Sequence, residues 1–304
     1  MKYSLLSFFL PFTRYPYEGL SVPCPGCRHD RYTKVSGIDR RLKRLITVAC
    51  DYCGLLYTNP MPTGPELSSY YADFYRFDYQ AASKAPKQKH LVKRKAEAAA
   101  RARVLEEFLS VPARTLDFGC GSGEFVTAML ERGHDAHGFE PGETYGNHAK
   151  SLHGERISIK GWQDVTYTER FDMVTCFHVL EHLSNPVDAL RQMAEWSAPD
   201  GLVYIEVPDL GSLAGSKGFG ALHFAHLLGF NQHNLIVAAA LAGLVPEKII
   251  SPTGILFRHA TGDEASTEAE AAKGVAVSRD LHSNGKMVSR YFRHQYKKLT
   301  GGYR

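Results

Sequence analysis

Leu116-Asp117-Phe118-Gly119-Cys120-Gly121-Ser122-Gly123-Glu124-Phe125 is the stretch on which the reading of this chain turns. An apolar run suited to a strand ends in glycines at every second residue, and a helix-forming segment follows. Glycine at such a turn lets the backbone approach a ligand closely, and the helix N-terminus offers unpaired N–H donors. A dinucleotide site would need the pattern G-x-G-x-x-G, whose third glycine lets the helix lie close against the strand. That position is Glu124 here. The spacing of Gly119, Gly121 and Gly123, with Asp117 ahead of them and Cys120 between, suits a ligand that lacks a pyrophosphate.

Working outward, strands and helices alternate from Thr115 to about Ala260. Strands are expected at 115–118, 136–140, 157–160, 171–177, 202–207, 247–250 and 255–259, the last two forming an antiparallel hairpin about 252–254. Helices are expected at 122–132, 144–152, 186–197 and 231–242, preceded by one at 94–109 with Ala98, Ala102, Leu105 and Leu109 on its apolar face. Such alternation predicts an α/β fold, a doubly wound, mostly parallel sheet of seven strands covered on both faces.

At the end of the second strand, Gly138-Phe139-Glu140-Pro141 places a carboxylate 17 positions after Gly123, where it can accept both hydroxyls of an adenosine ribose. Gly161-Trp162-Gln163-Asp164 sits where an adenine edge would be read. Phe171-Asp172-Met173-Val174-Thr175-Cys176-Phe177-His178-Val179-Leu180-Glu181-His182-Leu183 completes the set. In this order and spacing the three segments resemble class I S-adenosylmethionine-dependent methyltransferases, over about residues 95–260. The resemblance implies the Rossmann-like fold of those enzymes and S-adenosylmethionine as cofactor. It would set the methionine end near Asp117, Gly119 and His178, the ribose on Glu140, and the adenine on Gln163 and Asp164.

Cys24-Pro25-Gly26-Cys27 and Cys50-Asp51-Tyr52-Cys53 are two CxxC pairs separated by 22 residues. Four thiolates so spaced can close a tetrahedral shell around Zn²⁺, leaving no open position for substrate, so Cys24, Cys27, Cys50 and Cys53 are read as a structural zinc site. Redox chemistry by one CxxC is the alternative, and two matched pairs argue against it. The continuation Leu55-Leu56-Tyr57-Thr58-Asn59-Pro60-Met61-Pro62, then Tyr70-Tyr71 and Tyr75, extends the resemblance to bacterial methyltransferases of sugar and surface-polysaccharide pathways that carry an N-terminal zinc domain. In these the N-terminal tyrosines close over the substrate; a buried aromatic cluster would account for Tyr70, Tyr71 and Tyr75 equally well.

Methyl transfer to a hydroxyl or carbon acid needs a positioned acceptor and a base, and histidine suits that work near neutral pH. His178 and His182 follow the fourth strand at the ligand-binding edge of the sheet, with His182 expected on a helix. His223-Phe224-Ala225-His226 follows the fifth strand after a glycine-rich loop, 211–220, expected to be mobile enough for a lid. In zinc-headed sugar C-methyltransferases the matching positions read Tyr-x-Glu-His. Here the tyrosine is His223, the glutamate is Ala225, and His226 alone is retained, which counts against a C-methyl ketosugar reaction. His226 is the first expectation for general base, ahead of His182.

Four zones are expected: a zinc module in 1–80, a connector and first helix in 81–110, the cofactor-binding domain in 111–261, and an extension in 262–304 that holds a loop and one amphipathic helix. A hydrophobic fraction of 44% and a charged fraction of 22% are those of an ordinary globular chain. A net charge of +4 is too mild to demand nucleic acid. The acceptor is read as a small molecule, sugar or glycan. An RNA-directed enzyme gripping phosphate with the zinc module and the basic segments 84–95 and 286–304 is the main rival. No aromatic-interleaved basic stripe supports that rival, so nucleic acid is disfavoured as a partner. A cofactor-binding scaffold without acceptor chemistry is a third reading. The apolar run 5–10 is shorter than the roughly 7–15 residues of a signal core or the ~20 of a spanning helix, and is expected to dock on the body. No later segment is long and apolar enough to span a bilayer, which predicts a cytoplasmic protein with room for peripheral membrane contact.

Overall fold

The strand ending at Phe118 is central because every one of its neighbours needs both faces covered. In the computed structural model, which describes residues 10–74, 88–262, 267–279, 281 and 284–300, β4 (Arg114–Phe118) buries Leu116 and Phe118 almost completely. Parallel strands so buried read as apolar runs rather than alternating ones. Around it lie β5 (Asp135–Phe139), β6 (Ile157–Ser158), β7 (Phe171–Phe177), β8 (Ser197–Glu206), β10 (Leu244–Ser251) and β11 (Gly254–His259). The order is β10-β11-β8-β7-β4-β5-β6, parallel except where β11 runs antiparallel to both β8 and β10. This is the expected seven-stranded sheet, and the closing hairpin turns where the sequence placed it.

Helices α3 (Glu124–Leu130), α4 (Glu143–His153), α5 (Pro186–Trp196) and α7 (Gln232–Ala240) occupy the expected connections. The helix expected at 94–109 is α2 (Gln88–Leu105), ending in a tighter 3-10 turn, Glu106–Phe108. Ala98, Ala102 and Leu105 are buried against Phe125 and Met129 of α3, and Leu109 is only partly covered. The two alanines let the helices approach closely, and burying Leu105 alone stabilises the pair by about 1.5–3 kcal/mol.

A second sheet has the order β1-β2-β3-β9, from β1 (Tyr32–Ile38), β2 (Arg44–Cys50), β3 (Leu56–Thr58) and β9 (Leu228–Gly229). Its fourth strand comes from far down the chain: Leu56 pairs with Gly229 and Tyr57 with Leu228. Nothing in the two-residue Leu228-Gly229 announces a strand; the backbone of β3 recruits it. α1 (Gly64–Asp73) follows, opened by a reciprocal cap between Thr63 and Glu66.

Three expectations are corrected. Segment 211–220 is not a mobile loop. It forms α6 (Leu210–Lys217), capped by the Asp209 carboxylate on the Ser212 N–H, and then a 3-10 turn, Gly218–Ala221. Glycine serves close packing there, since a Cβ on Gly218 would lie 2.0 Å from the Met287 carbonyl oxygen. The extension carries two helices rather than one, α8 (Glu268–Arg279) and α9 (Asn284–Leu299), as its alanine- and glutamate-rich composition permits. α8 closes over the cysteine pairs, where Gly54 and Gly274 meet with no room for a Cβ on either. His182 lies on a 3-10 turn, Leu180–His182, not on an α-helix. The docking expectation for 5–10 and the expectation for Tyr75 fall outside the described residues, apart from Leu10, which is exposed.

Candidate active site

The glycine turn is built from backbone conformations that only glycine adopts without strain. Gly119, Gly121 and Gly123 have φ of 74°, 54° and 85°. A Cβ on Gly119 would lie 2.7 Å from Val179 Cγ2, whereas at Gly121 the nearest atom is an Arg94 guanidinium nitrogen at 3.5 Å. The turn therefore presents a bare backbone on the side that α2 overhangs. Cys120 faces the other way. Its N–H donates to the Phe139 carbonyl, and its side chain packs on Gly138.

Glu140, just past β5, accepts from the Gly121 N–H at 3.1 Å and from the Gly142 N–H at 2.8 Å. Burial raises its pKa, and these donors and Arg94 oppose that shift. Asp117 is buried beneath the turn, accepting from the Thr175 hydroxyl at 3.0 Å, with its pKa pushed up to about 7 by loss of solvent. A buried carboxylate of this kind fits an ammonium, and Glu140 fits paired hydroxyls. Gln163 and Asp164 lie exposed in a turn beyond β6, next to Trp162, whose ring is 6.3 Å from that of Phe118. Of the residues expected to hold S-adenosylmethionine, Asp117, the three glycines, Glu140, Gln163 and Asp164 lie along one stretch of sheet edge, Cys120 contributes only its fold, and His178 stands on the stretch beside them.

On the neighbouring stretch, His178 follows β7 with φ of 55°, an uncommon conformation for a residue with a Cβ. Its backbone N–H donates to the Glu206 carbonyl at 2.8 Å, and its Nε2 lies 3.1 Å from Glu206 Oε1. Glu206 also takes the guanidinium of Arg101 from α2 and, at 3.2 Å, the hydroxyl of Tyr204. Burial alone would raise the Glu206 pKa, yet His178 and Arg101 outweigh it and hold the carboxyl down at about 2. Sequence reasoning missed both Arg101 and Glu206. A lone carboxylate at the carboxyl end of a strand, in Ile205-Glu206-Val207-Pro208, was the only available signal for the second.

His182, His226 and Glu181 come together behind His178. His182 Nδ1 lies 2.7 Å from the Ala225 carbonyl oxygen, and the Tyr71 hydroxyl is 3.3 Å from the same nitrogen. The His182 and His226 rings meet edge to face at 4.9 Å. Burial, then His182, Arg40 and His178, lower the His226 pKa to about 3, so this ring is neutral at physiological pH. His223 is buried more deeply, with Nδ1 accepting from the Ala225 N–H at 3.1 Å. Tyr70 belongs to the aromatic cluster with Tyr15 and Phe224, and Tyr71 beside it reaches His182.

The four cysteines sit in two turns, one ahead of β1 and one at the end of β2. Cys24 and Cys53 sulfurs are 3.7 Å apart, those of Cys27 and Cys50 are 3.4 Å apart, and all four lie within 4.8 Å of one another. Tetrahedral thiolates about zinc are separated by about 3.8 Å, so the cluster fits that ion closely.

Three comparisons with known proteins agree with this geometry. A family model described as a methyltransferase domain matches residues 90–248. The ubiquinone biosynthesis O-methyltransferase of Psychrobacter arcticus is 33% identical over 99 residues, which cover 29% of this chain and 38% of that protein. That of Marinobacter nauticus is 32% identical over 102 residues, or 30% and 42%. The chain thus spans about two-fifths of the length of these curated relatives. Among solved structures, the 1,6-didemethyltoxoflavin-N1-methyltransferase of Burkholderia thailandensis, with bound 1,6-didemethyltoxoflavin and S-adenosylhomocysteine, has a TM-score of 0.51 at 17% identity. It covers 68% of this chain and 96% of that one, a likeness of fold.

Proposed function

This chain belongs to the methyltransferase-domain family, as a class I S-adenosylmethionine-dependent enzyme, and from that premise we propose that it methylates a hydroxyl, or less readily a carbon, of a small-molecule, sugar or glycan acceptor. The observation that carries the reading is the adjacency of two chemistries on one sheet edge. Beside the glycine turn, with its buried Asp117 and Glu140, stands a half-exposed His178 braced by an ionised Glu206.

When bound, S-adenosylmethionine supplies a methyl group on a sulfonium sulfur, open to in-line attack. Asp117 accepts the ammonium of its methionine end, Glu140 the ribose hydroxyls, and Gln163 and Asp164 the adenine edge. His178 takes the acceptor's proton as the new bond to carbon forms, and Glu206 stabilises the imidazolium that results. This role passes to His178 from His226 because His178 is 45% exposed at its side chain and has a carboxylate to orient it. His226 and His182 stand one layer deeper, and His223 supports the Ala225 backbone. Tyr71 and the N-terminal sheet wall the acceptor side.

In this reading residues 111–261 carry the cofactor, 1–80 form the zinc module, and 81–110 and 262–304 shape the acceptor side. Sugar and surface-polysaccharide chemistry is the acceptor class that the zinc-headed arrangement favours. Cys24, Cys27, Cys50 and Cys53 hold a structural Zn²⁺ that fixes two turns with little core of their own. Elemental analysis is expected to give one zinc per chain, lost in Cys50→Ser; a full complement in that variant would remove the assignment. Among the described residues no helix is long and apolar enough to cross a membrane.

Calorimetric titration with S-adenosylhomocysteine tests the cofactor reading. Micromolar binding is expected, weakened about 10–100-fold in Glu140→Ala through loss of a charged hydrogen-bonding group, with no binding of NAD. Binding of NAD instead, or an unaffected variant, would mean that the glycine turn has been misread. A screen of hydroxylated sugars follows from the first outcome.

A further inference from the structure

Helix α9 carries more apolar surface than its packing uses. Met287 and Tyr291 turn one face of it to the body, with the Tyr291 ring stacked on Phe219 at 4.0 Å between centroids. Val288, Phe292, Tyr296 and Leu299 lie on another face. At about 3.6 residues per turn they fall within an arc of about 80°. Their exposures are 39%, 63%, 69% and 86%. Single exposed apolar side chains are commonplace, whereas four in line mark a surface that interacts with something.

Charge says what that partner is. The same helix holds Lys286, Arg290, Arg293, Lys297 and Lys298 and no carboxylate, against a net charge of +4 for the whole chain. Arg293 and Lys297 border the apolar stripe on one side, and among the described residues neither they nor Lys298 has an ion-pair partner. The stripe begins beside further cations, because Val288 lines one cavity of about 740 Å³ with Phe12, Arg14, Lys34 and Arg44. Phe12 is itself exposed. An apolar stripe bordered by lysine and arginine suits a helix that lies in the plane of an anionic bilayer. Its apolar side chains enter the acyl boundary while the cations reach the headgroup phosphates. A second copy of this chain is a poorer occupant, since pairing the stripe on itself sets two helices of like charge side by side. Nucleic acid would meet the cations but leave Val288, Phe292 and Leu299 in water.

We propose that the exposed stripe of α9, with Phe12 and the cations around it, docks this protein on the surface of an anionic lipid bilayer. The docking is peripheral, and it goes beyond the methyltransferase reading without resting on it. Its electrostatic part acts over about 8 Å at physiological ionic strength, so it is reversible and weakened by salt. The body beneath α9 includes the turn Gly218–Ala221, which packs on the Met287 backbone and runs on into His223 and His226. The docked face and the acceptor half of the sheet edge therefore share one short segment of chain.

The test is co-sedimentation of the full chain with phosphatidylcholine vesicles, made with and without phosphatidylglycerol. Binding is expected to be far tighter when the anionic lipid is present, and to weaken as salt is added. Two paired variants of exposed residues probe the two parts of the surface: Phe292→Ser with Leu299→Ser, and Arg293→Glu with Lys297→Glu. Each pair is expected to lose about tenfold or more in affinity for the anionic vesicles. No binding of the wild type to those vesicles, equal binding to both kinds, or wild-type affinity in either pair overturns the proposal. Sedimentation equilibrium without lipid examines the other occupant. Self-association that Phe292→Ser with Leu299→Ser abolishes would give the stripe to a second copy and overturn the proposal as well. Melting curves confirm that each pair folds, and if one does not, the other decides the matter.

Discussion

Two neighbouring halves of the sheet edge are built in opposite ways. The cofactor half is assembled from residues 117–142, two strand ends and the turn between, and its geometry comes from backbone conformation: three glycines at positive φ and a carboxylate accepting from two backbone N–H groups. The acceptor half draws on Tyr71, Arg101, residues 178–182, Glu206 and residues 225–226, and its geometry comes from side chains meeting across the fold. The first is a local device that moves with its own turn. The second exists only when the N-terminal sheet, α2 and the segment before β9 are all in place.

If the halves are separable in this way, His178→Ala should lower kcat on a competent acceptor by about 10³-fold while leaving S-adenosylhomocysteine affinity within a factor of two or so. A parallel collapse of cofactor affinity, measured by calorimetry, would show that the two halves work as one.

A smaller effect sharpens the claim that the cofactor half is a backbone device. Gly119→Ala meets both an unfavourable φ and Val179 at 2.7 Å, while Gly121→Ala meets the φ alone. The second substitution is expected to cost about 1–2 kcal/mol in denaturant unfolding and the first clearly more. Equal costs would mean that Val179 gives way and that conformation is the whole constraint.

The smallest effect concerns protonation. The Asp117 pKa lies at about 7 in the folded chain against about 4 when unfolded. The folded state therefore binds this proton more tightly, and stability from this group rises as pH is lowered from 7 toward 4. A cationic ligand end needs the ionised form, so S-adenosylhomocysteine affinity should fall by up to about tenfold per pH unit below 7. Asp117→Asn should flatten that dependence, and a slope that survives in the variant would assign the titration elsewhere.

Legibility in the sequence followed the same division. Asp117, the three glycines and Glu140 were readable because a strand end, a turn and a helix start are consecutive residues, and the cysteine pairs because their spacing is a property of the chain. Helix and strand periods located nearly every element of the main sheet. Segment 211–220 misled because glycine serves close packing as readily as mobility; at Gly218 it makes room for α9. Glu206 and Arg101 were invisible because they are 105 residues apart in sequence and meet only across the folded edge.

Residue order and spacing alone thus determined the doubly wound fold, the glycine turn with its carboxylates and the four-thiol cluster, since each depends on neighbours a few residues away or on a repeating apolar period. Tertiary structure alone decided which histidine faces outward with a carboxylate behind it, that Glu181 is buried between imidazoles, and that Leu228-Gly229 completes the N-terminal sheet. Those are contacts between distant segments, fixed by the packing of whole layers rather than by any local preference of the chain.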